Sequence, residues 1–381
     1  MNVCHVITKP ELGGAQLSTL NILSDLPRDK YKVSLITSPS GKLCDEFRGL
    51  KDARCFFTPF LIRSINPTVD ILALIHICSI YIKLKSELVH THSSKAGIIG
   101  RWAARFAKVP VIIHTVHGWS FNDFQPRLLK RLFILLERIT AGFTTKIVCV
   151  SERDLQIGVK YNIAPREKFQ VIKYGIPLAK FRESSIDPVA KKLELGIRNN
   201  DPVVGMISCL KKQKSPLDFI KASIKIYEKI PGVNFLLIGD GILKSECKKL
   251  LSRSPLNGRF IFTGWRRDIS EILDILDVSV LTSKWEGMPI AIIEALSKGC
   301  PCVATDVGGS SELVKNGITG YLTRPGAYED TANRVLYMLQ NKDSYSSMKK
   351  AAISFIDNNF ALDRMLKDID SLYMKAARGI T

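Results

Sequence analysis

The sequence predicts an α/β fold of two open, parallel, helix-flanked sheets, and three observations carry that expectation. Short apolar runs alternate with helix-patterned stretches along most of the chain, the pattern of strand, crossover helix and next parallel strand. The series occurs twice, on either side of a segment rich in charge and proline at residues 177–202. The length of 381 residues exceeds one ordinary core and suggests two domains of about 150–200 residues each.

In the first half, residues 3–8, 33–37, 88–92, 111–116 and 147–150 read as buried strands. In the second, residues 203–208, 234–238, 259–262, 278–282 and 302–305 do the same. The boundary falls near residue 180, giving domains of residues 1–178 and 179–359, and residues 362–380 read as a closing helix. Each half is Rossmann-like. The two are expected to face a cleft, because open parallel sheets bind ligands outside the carboxyl ends of their strands.

Residues 69–84 form the most apolar long stretch but carry Asp70 and His76, short of the roughly 18–20 uninterrupted apolar residues of a spanning helix. They read as a core-facing helix between strands or as a helix that also touches lipid. Residues 1–8 lead directly into a strand, without the basic, apolar, small-residue series of a signal peptide. The nine cysteines form no C-x2-C pair and read as small buried hydrophobes in a reducing cytosol.

The net charge of +19 is uneven: residues 1–185 hold 27 Lys+Arg against 14 Asp+Glu, the remainder 28 against 22. Arg101, Arg105, Lys108, Arg127, Lys130, Arg131 and Arg138 contribute to the excess. Such a bias favours an anionic membrane surface or a polyanion, at about 1 kcal/mol per well-placed cation; the alternative is a solubility charge with no target. A nucleic-acid partner is not expected, since no recognised module interleaves basic and aromatic residues here.

The most informative stretch is Ser283-Lys284-Trp285-Glu286-Gly287-Met288-Pro289-Ile290-Ala291-Ile292-Ile293-Glu294. A strand precedes it, and residues 289–297 have helical spacing with Pro289 in the first turn. Glu286 then lies on the loop entering the helix and Glu294 about one and a half turns along it. The amides of Gly287, Met288, Pro289 and Ile290 offer a cradle for an anion between them. Two carboxylates flanking an anion cradle suit a nucleotide-linked sugar. Gly13 and Gly14 follow the first strand and read as a turn or as a second close approach of backbone to an anion, with Gln16 in the same loop. His90 and His92 share one face of a strand; with His114 and His117 they could hold a metal, but no carboxylate or cysteine joins them at ligand spacing, so no metal is expected.

The stretch from Glu286 to Glu294 resembles the Glu-x7-Glu motif of the retaining glycosyltransferases of family 4. The likeness extends through Leu12-Gly13-Gly14-Ala15-Gln16, His90-Thr91-His92-Ser93-Ser94-Lys95-Ala96-Gly97 and Thr115-Val116-His117-Gly118-Trp119. It continues through Gly239-Asp240-Gly241, Phe262-Thr263-Gly264-Trp265 and Val303-Ala304-Thr305-Asp306-Val307-Gly308-Gly309. One such piece is weak; six in order over residues 2–330 are specific. The resemblance implies the GT-B architecture, an acceptor-side first domain and a nucleotide-sugar-binding second domain. It also implies a last helix, residues 360–381, that packs back on the first domain.

The resemblance further implies a retaining, metal-independent transfer with front-face attack. In it His117 lies beside the transferred sugar, Glu286 holds sugar hydroxyls, Glu294 holds the ribose and Lys214 neutralises the leaving diphosphate. Gly13 and Gly14 approach the diphosphate, Trp265 and Arg266 border the base, and Gln16, His92, Ser93 and Lys95 lie on the acceptor side. Two departures stand out. Ser208 and Cys209 occupy the places of the family's glycine and arginine, leaving Lys211 or Lys212 as a substitute cation. Lys173-Tyr174-Gly175-Ile176-Pro177 stands where the family often has Asn-Gly-Ile-Asp. The expected donor is a UDP-sugar, and the expected acceptor a polyprenyl-diphosphate-linked saccharide of O-antigen, capsule or exopolysaccharide assembly. The enzyme is then peripheral on the cytoplasmic face of the membrane, with no cofactor. A nucleotide-sugar epimerase of the same fold and a catalytically silent nucleotide-sugar-binding protein are the alternatives.

Overall fold

A computed structural model describes residues 1–183, 186–256 and 258–379. Two compact units divide the chain: Met1–Gly175 with Leu362–Thr381, and Ile176–Ala361. The first unit is built on seven parallel strands, β1 (Asn2–Val6), β2 (Lys32–Thr37), β3 (Ala53–Phe57), β4 (Leu88–His92), β5 (Val111–Val116), β6 (Lys146–Cys149) and β7 (Phe169–Val171). Their order is β3-β2-β1-β4-β5-β6-β7. The second unit has β8 (Val203–Ile207), β9 (Asn234–Ile238), β10 (Phe260–Gly264), β11 (Val278–Leu281), β12 (Cys302–Thr305) and β13 (Gly320–Thr323), in the order β10-β9-β8-β11-β12-β13. In both sheets the order reverses beside the unit's first strand, between β1 and β4 and between β8 and β11. Ligands of open α/β sheets bind at the carboxyl ends of strands at such a point.

Sequence reading did not anticipate β3, β7 and β13, and each is a sheet edge. An edge strand is not covered on all sides, so it lacks the continuous apolar run that marks a central parallel strand; β3 (ARCFF) has no fully buried residue. The expected loop at 177–202 instead contains two short helices, Leu178–Arg182 and Pro188–Glu194. Proline there starts a helix, with the Asp187 side chain accepting from the Val189 amide at 3.0 Å. Residues 184 and 185 of that segment lie outside the described residues, as does Ile380 of the closing helix. The described part of that helix, Leu362–Arg378, buries Met365, Ile369, Leu372 and Tyr373 in the first unit. Tyr31 donates to Asp370 at 2.5 Å beside them.

Three helices of the first unit pack side by side: Pro67–Leu84 on Ser94–Phe106, and Ser94–Phe106 on Arg127–Gly142. Between the last two lies a fully buried ion pair, Arg101 Nη2 to Glu137 Oε2 at 2.6 Å, with Arg101 Nε donating to the Gly97 carbonyl at 2.8 Å. The 18-residue helix Pro67–Leu84 is long and apolar enough to cross a membrane by length and composition. A purely core-facing role does not describe it. Ala73, Ile77, Ile80 and Tyr81 enter the core, whereas Ile71, Leu72, Ile75 and Ile82 face outward. All nine cysteines are free thiols; six are buried, and Cys55, Cys78 and Cys209 are half-buried.

Candidate active site

In the second unit, the loops leaving the adjacent strands β8 and β11 bring Lys214 and Glu286 together. Lys214 Nζ pairs with Glu286 Oε1, and Ser283 Oγ donates to the same oxygen at 2.5 Å. Glu286 Oε2 has no partner among the described residues. The two loops are tied by backbone and side chain: the Lys284 amide donates to the Gln213 carbonyl at 2.7 Å, and Gln213 Nε2 to the Trp285 carbonyl at 2.8 Å. Thr282 Oγ1 also donates to the Ser215 carbonyl at 2.9 Å.

The loop after β12 braces the same segment from behind. Gly308 has a φ of +52°, and a Cβ there would lie 2.1 Å from the Glu286 carbonyl oxygen, so only glycine lets the chains approach this closely. The Gly309 amide donates to the Gly287 carbonyl at 2.5 Å.

The helix Ile290–Ser297 starts one residue later than expected, with Pro289 as its N-cap. Proline has no N–H, so the cradle is reduced to the amides of Gly287, Met288 and Ile290, none of which has an acceptor among the described residues. Glu294 projects from this helix, and its carboxyl too has no hydrogen-bond partner among the described residues. Burial pushes that carboxyl up to about 8. Glu294 is half-buried as a whole residue, and its unpartnered carboxyl is open to a ligand donor.

In the first unit, β1, β4 and β5 gather histidines. His117 Nδ1 lies 2.5 Å from the Tyr174 hydroxyl and its Nε2 3.0 Å from His92 Nδ1; His92 Nε2 lies 3.0 Å from His5 Nδ1. Burial holds His5 and His117 far below the ordinary histidine value, at about 3. His5, His90 and His92 bring ring nitrogens within 4.8 Å of one another, while His114 bonds Thr91 at 2.9 Å on the other side of the strand. Nothing in the spacing signalled His5; it enters because β1 pairs with β4 in the register His5 opposite His90.

Several expected ligand contacts are engaged within the protein. Gln16 folds back over Gly13, and its Nε2 donates to the Lys9 carbonyl at 3.0 Å, closing the loop that carries Gly13 and Gly14. Ser93 bonds Thr8 through their hydroxyls at 2.8 Å, joining the ends of β1 and β4. Lys95 pairs with Asp70 at 2.5 Å and anchors the start of the apolar helix. Arg266 is held by Asp268 and Glu194 at 2.5 and 2.6 Å, and with Trp265 it follows the edge strand β10, two strands across from β8. Long side chains near a carboxylate take it, and sequence spacing does not reveal which carboxylate is near. Lys211 lies half-buried in the loop that carries Lys214.

Comparison with known proteins matches residues 12–180 to Glycosyltransferase Family 4 and residues 190–355 to Glycosyl transferases group 1. The chain is 36% identical over 378 residues to the UDP-Gal:alpha-D-GlcNAc-diphosphoundecaprenol alpha-1,3-galactosyltransferase of Escherichia coli, covering 98% of this chain and 97% of that protein. It is 26% identical over 321 residues to the N,N'-diacetylbacillosaminyl-diphospho-undecaprenol alpha-1,3-N-acetylgalactosaminyltransferase of Campylobacter jejuni, covering 81% and 83% of the two. The crystal structure of Anabaena HepE in complex with UDP-glucose shares the fold, with a TM-score of 0.84 at 21% identity over 98% of this chain and 100% of that one. Two Rossmann-like units of this topology and a relative matched nearly end to end lead to one conclusion: the chain belongs to glycosyltransferase family 4 and is a glycosyltransferase of the GT-B fold.

Proposed function

We propose that the enzyme moves a hexose or N-acetylhexosamine from a UDP-sugar to a polyprenyl-diphosphate-linked saccharide, with retention and without a metal. The observation that carries this reading is the trio of Lys214, Glu286 and the acceptor-free amides of Gly287, Met288 and Ile290. The amides and Lys214 hold the diphosphate and stabilise the charge that grows on it as the glycosidic bond breaks. Glu286 Oε2 takes a sugar hydroxyl, with Oε1 fixed by Ser283 and Lys214. Glu294 takes the ribose hydroxyls. His117 meets the sugar by exchanging the Tyr174 hydroxyl for one of the sugar's. The leaving phosphate accepts the acceptor's proton from the same face. The name of the Escherichia coli relative carries UDP-galactose and a diphosphoundecaprenol-linked sugar, and the same substrate class is proposed here.

An anionic membrane is the proposed place of work, on the cytoplasmic side. Leu128, Leu132, Leu135 and Ile139 form an outward stripe on the helix Arg127–Gly142, flanked by exposed Arg127, Arg131 and Arg138. Ile71, Leu72, Ile75 and Ile82 do the same on Pro67–Leu84. The only acids on the three packed helices, Asp70 and Glu137, are already ion-paired. An apolar face with cations beside it suits the headgroup boundary of an anionic bilayer.

The test uses phosphatidylglycerol vesicles carrying a polyprenyl-diphosphate-linked N-acetylhexosamine, a panel of nucleotide sugars, and EDTA. One UDP-sugar should be consumed, with its sugar appearing on the lipid in the donor's own anomeric configuration, and EDTA should not slow it. The protein should float with these vesicles, and Leu132→Asp should release it. Consumption of no UDP-sugar, or an epimer of the donor formed without acceptor, would sink the proposal.

Glu294 gives a separate expectation in pH. Ribose hydroxyls donate to the carboxylate, so binding favours the ionised form and lowers a pKa that burial holds near 8 in the free protein. Affinity for the UDP-sugar should therefore rise with pH up to about 8 and level off above it. Titration calorimetry at pH 6 to 9 reads this, and Glu294→Gln should flatten the profile. A wild-type profile that is already flat contradicts the assignment.

A further inference from the structure

We infer that His92 and His5 are positioning residues for His117, acting through a hydrogen-bonded imidazole chain that decides which His117 nitrogen carries the proton. The inference rests on the placement of His117 beside the transferred sugar. From one end, the chain runs from the Tyr174 hydroxyl to His117, then to His92 and to His5. His5 Nε2 lies 3.3 Å from the Tyr373 hydroxyl, which in turn lies 2.6 Å from His90 Nδ1. His90 Nε2 ends the chain 2.6 Å from Thr115 Oγ1.

A neutral imidazole has one donor and one acceptor nitrogen. Burial keeps these rings neutral, so the links are not independent. With the His117 proton on Nε2, His92 must accept at Nδ1 and donate from Nε2, and His5 must do the same toward Tyr373. With it on Nδ1, every ring is reversed. Two proton arrangements satisfy all the links, and each leaves every ring neutral. Hydroxyls close both ends, and a hydroxyl serves in either direction. The tautomer of His117 is therefore coupled to that of His92, which touches it, and through His92 to that of His5, which does not, in the way that a partner on one imidazole nitrogen fixes the state of the other.

Packing alone does not call for this. The His5 and His92 rings lie 5.2 Å apart and within 7° of parallel, an arrangement apolar rings could fill without buried nitrogens to satisfy. Polar rings at three consecutive positions of a buried chain fit a need for directed hydrogen bonds at its exposed end. His117 is that end: it is half-exposed, while His5 and His92 are fully buried.

The first test needs no variant. With 15N-labelled histidine, the wild-type enzyme should show nitrogen–nitrogen coupling across both 3.0 Å links and a single tautomer for each of the three rings. His92→Phe keeps the ring and deletes both links. His117 should then show averaged tautomers, and kcat should fall by about 10- to 100-fold, the size found on removing a partner that orients an imidazole, with donor KM held. His92→Asn, whose amide stands near the Nδ1 position, should recover most of the loss, and His5→Phe should act in the same direction as His92→Phe. Absent coupling in the wild type, or an unchanged His117 tautomer in His92→Phe, overturns the inference. A fully active His117→Phe would instead overturn the placement of His117, whatever the coupling shows. Should a variant melt early, the wild-type coupling still decides.

Discussion

Lys214→Met is expected to lower kcat by about 100- to 1,000-fold, the size of losing one preorganised charge-stabilising group at a reacting centre. The substitution removes the cation proposed to meet the diphosphate and preserves most of the side-chain volume. It also unties Glu286, which keeps only Ser283 on its bonded oxygen. Two losses thus follow from one change. Glu286→Gln should separate them, because the amide can still meet a sugar hydroxyl while losing its charge pairing with Lys214. Residues in contact couple, so the double variant should lose less than the product of the two single losses. Single-turnover transfer with saturating donor reads the chemical step, and a UDP-induced rise in melting temperature checks that binding survives. A Lys214→Met enzyme within a few-fold of wild type would remove Lys214 from the mechanism.

Glu137→Ala should destabilise the first unit by about 3–5 kcal/mol, because it leaves a buried charge without its partner. Arg101 is fully buried, and its remaining partners are the neutral Gly97 carbonyl and a long contact of 3.4 Å to Thr144 Oγ1. Replacing both members, Arg101→Met with Glu137→Leu, should restore most of the loss, since apolar substitutes of similar volume often equal a buried pair. Two units need not unfold together, so the readout is hydrogen exchange in the segments 94–106 and 127–142. A Glu137→Ala protein with wild-type protection there would show that water or a neighbour compensates the guanidinium.

The interior of both sheets was legible in the sequence because a strand buried on both faces must be apolar throughout. Of the four edges only β10, the apolar run at residues 260–262, was legible; β7 has three residues, β13 begins with glycine and β3 has no fully buried residue. The loop carrying Glu286 was legible for a local reason: glutamate, glycine and proline before an apolar helix prescribe a turn, open amides and a start. Its partner Ser283 was in plain view, yet sequence does not show that its hydroxyl turns toward Glu286. The contacts of Arg266, Lys95 and Gln16 were not legible, because each is settled by a group brought near only by folding: Glu194, Asp70 and the Lys9 carbonyl. His5 belongs with them. Its meaning lies in a strand register linking residues 5 and 90, which no local pattern encodes.

The closing helix carries a consequence for synthesis. Because Leu362–Arg378 belongs to the first unit, that unit is made in two instalments, with the whole of the second unit emerging from the ribosome between them. The second unit is one continuous segment and can fold as it emerges. The first must wait, with Tyr31 lacking Asp370 and the space for Met365, Ile369 and Tyr373 uncovered. Tyr373 is also the hydroxyl between His5 and His90. The nascent protein thus gains the Tyr373 link between His5 and His90 only after the whole second unit has been made, which ties completion of that network to synthesis of the domain between its parts.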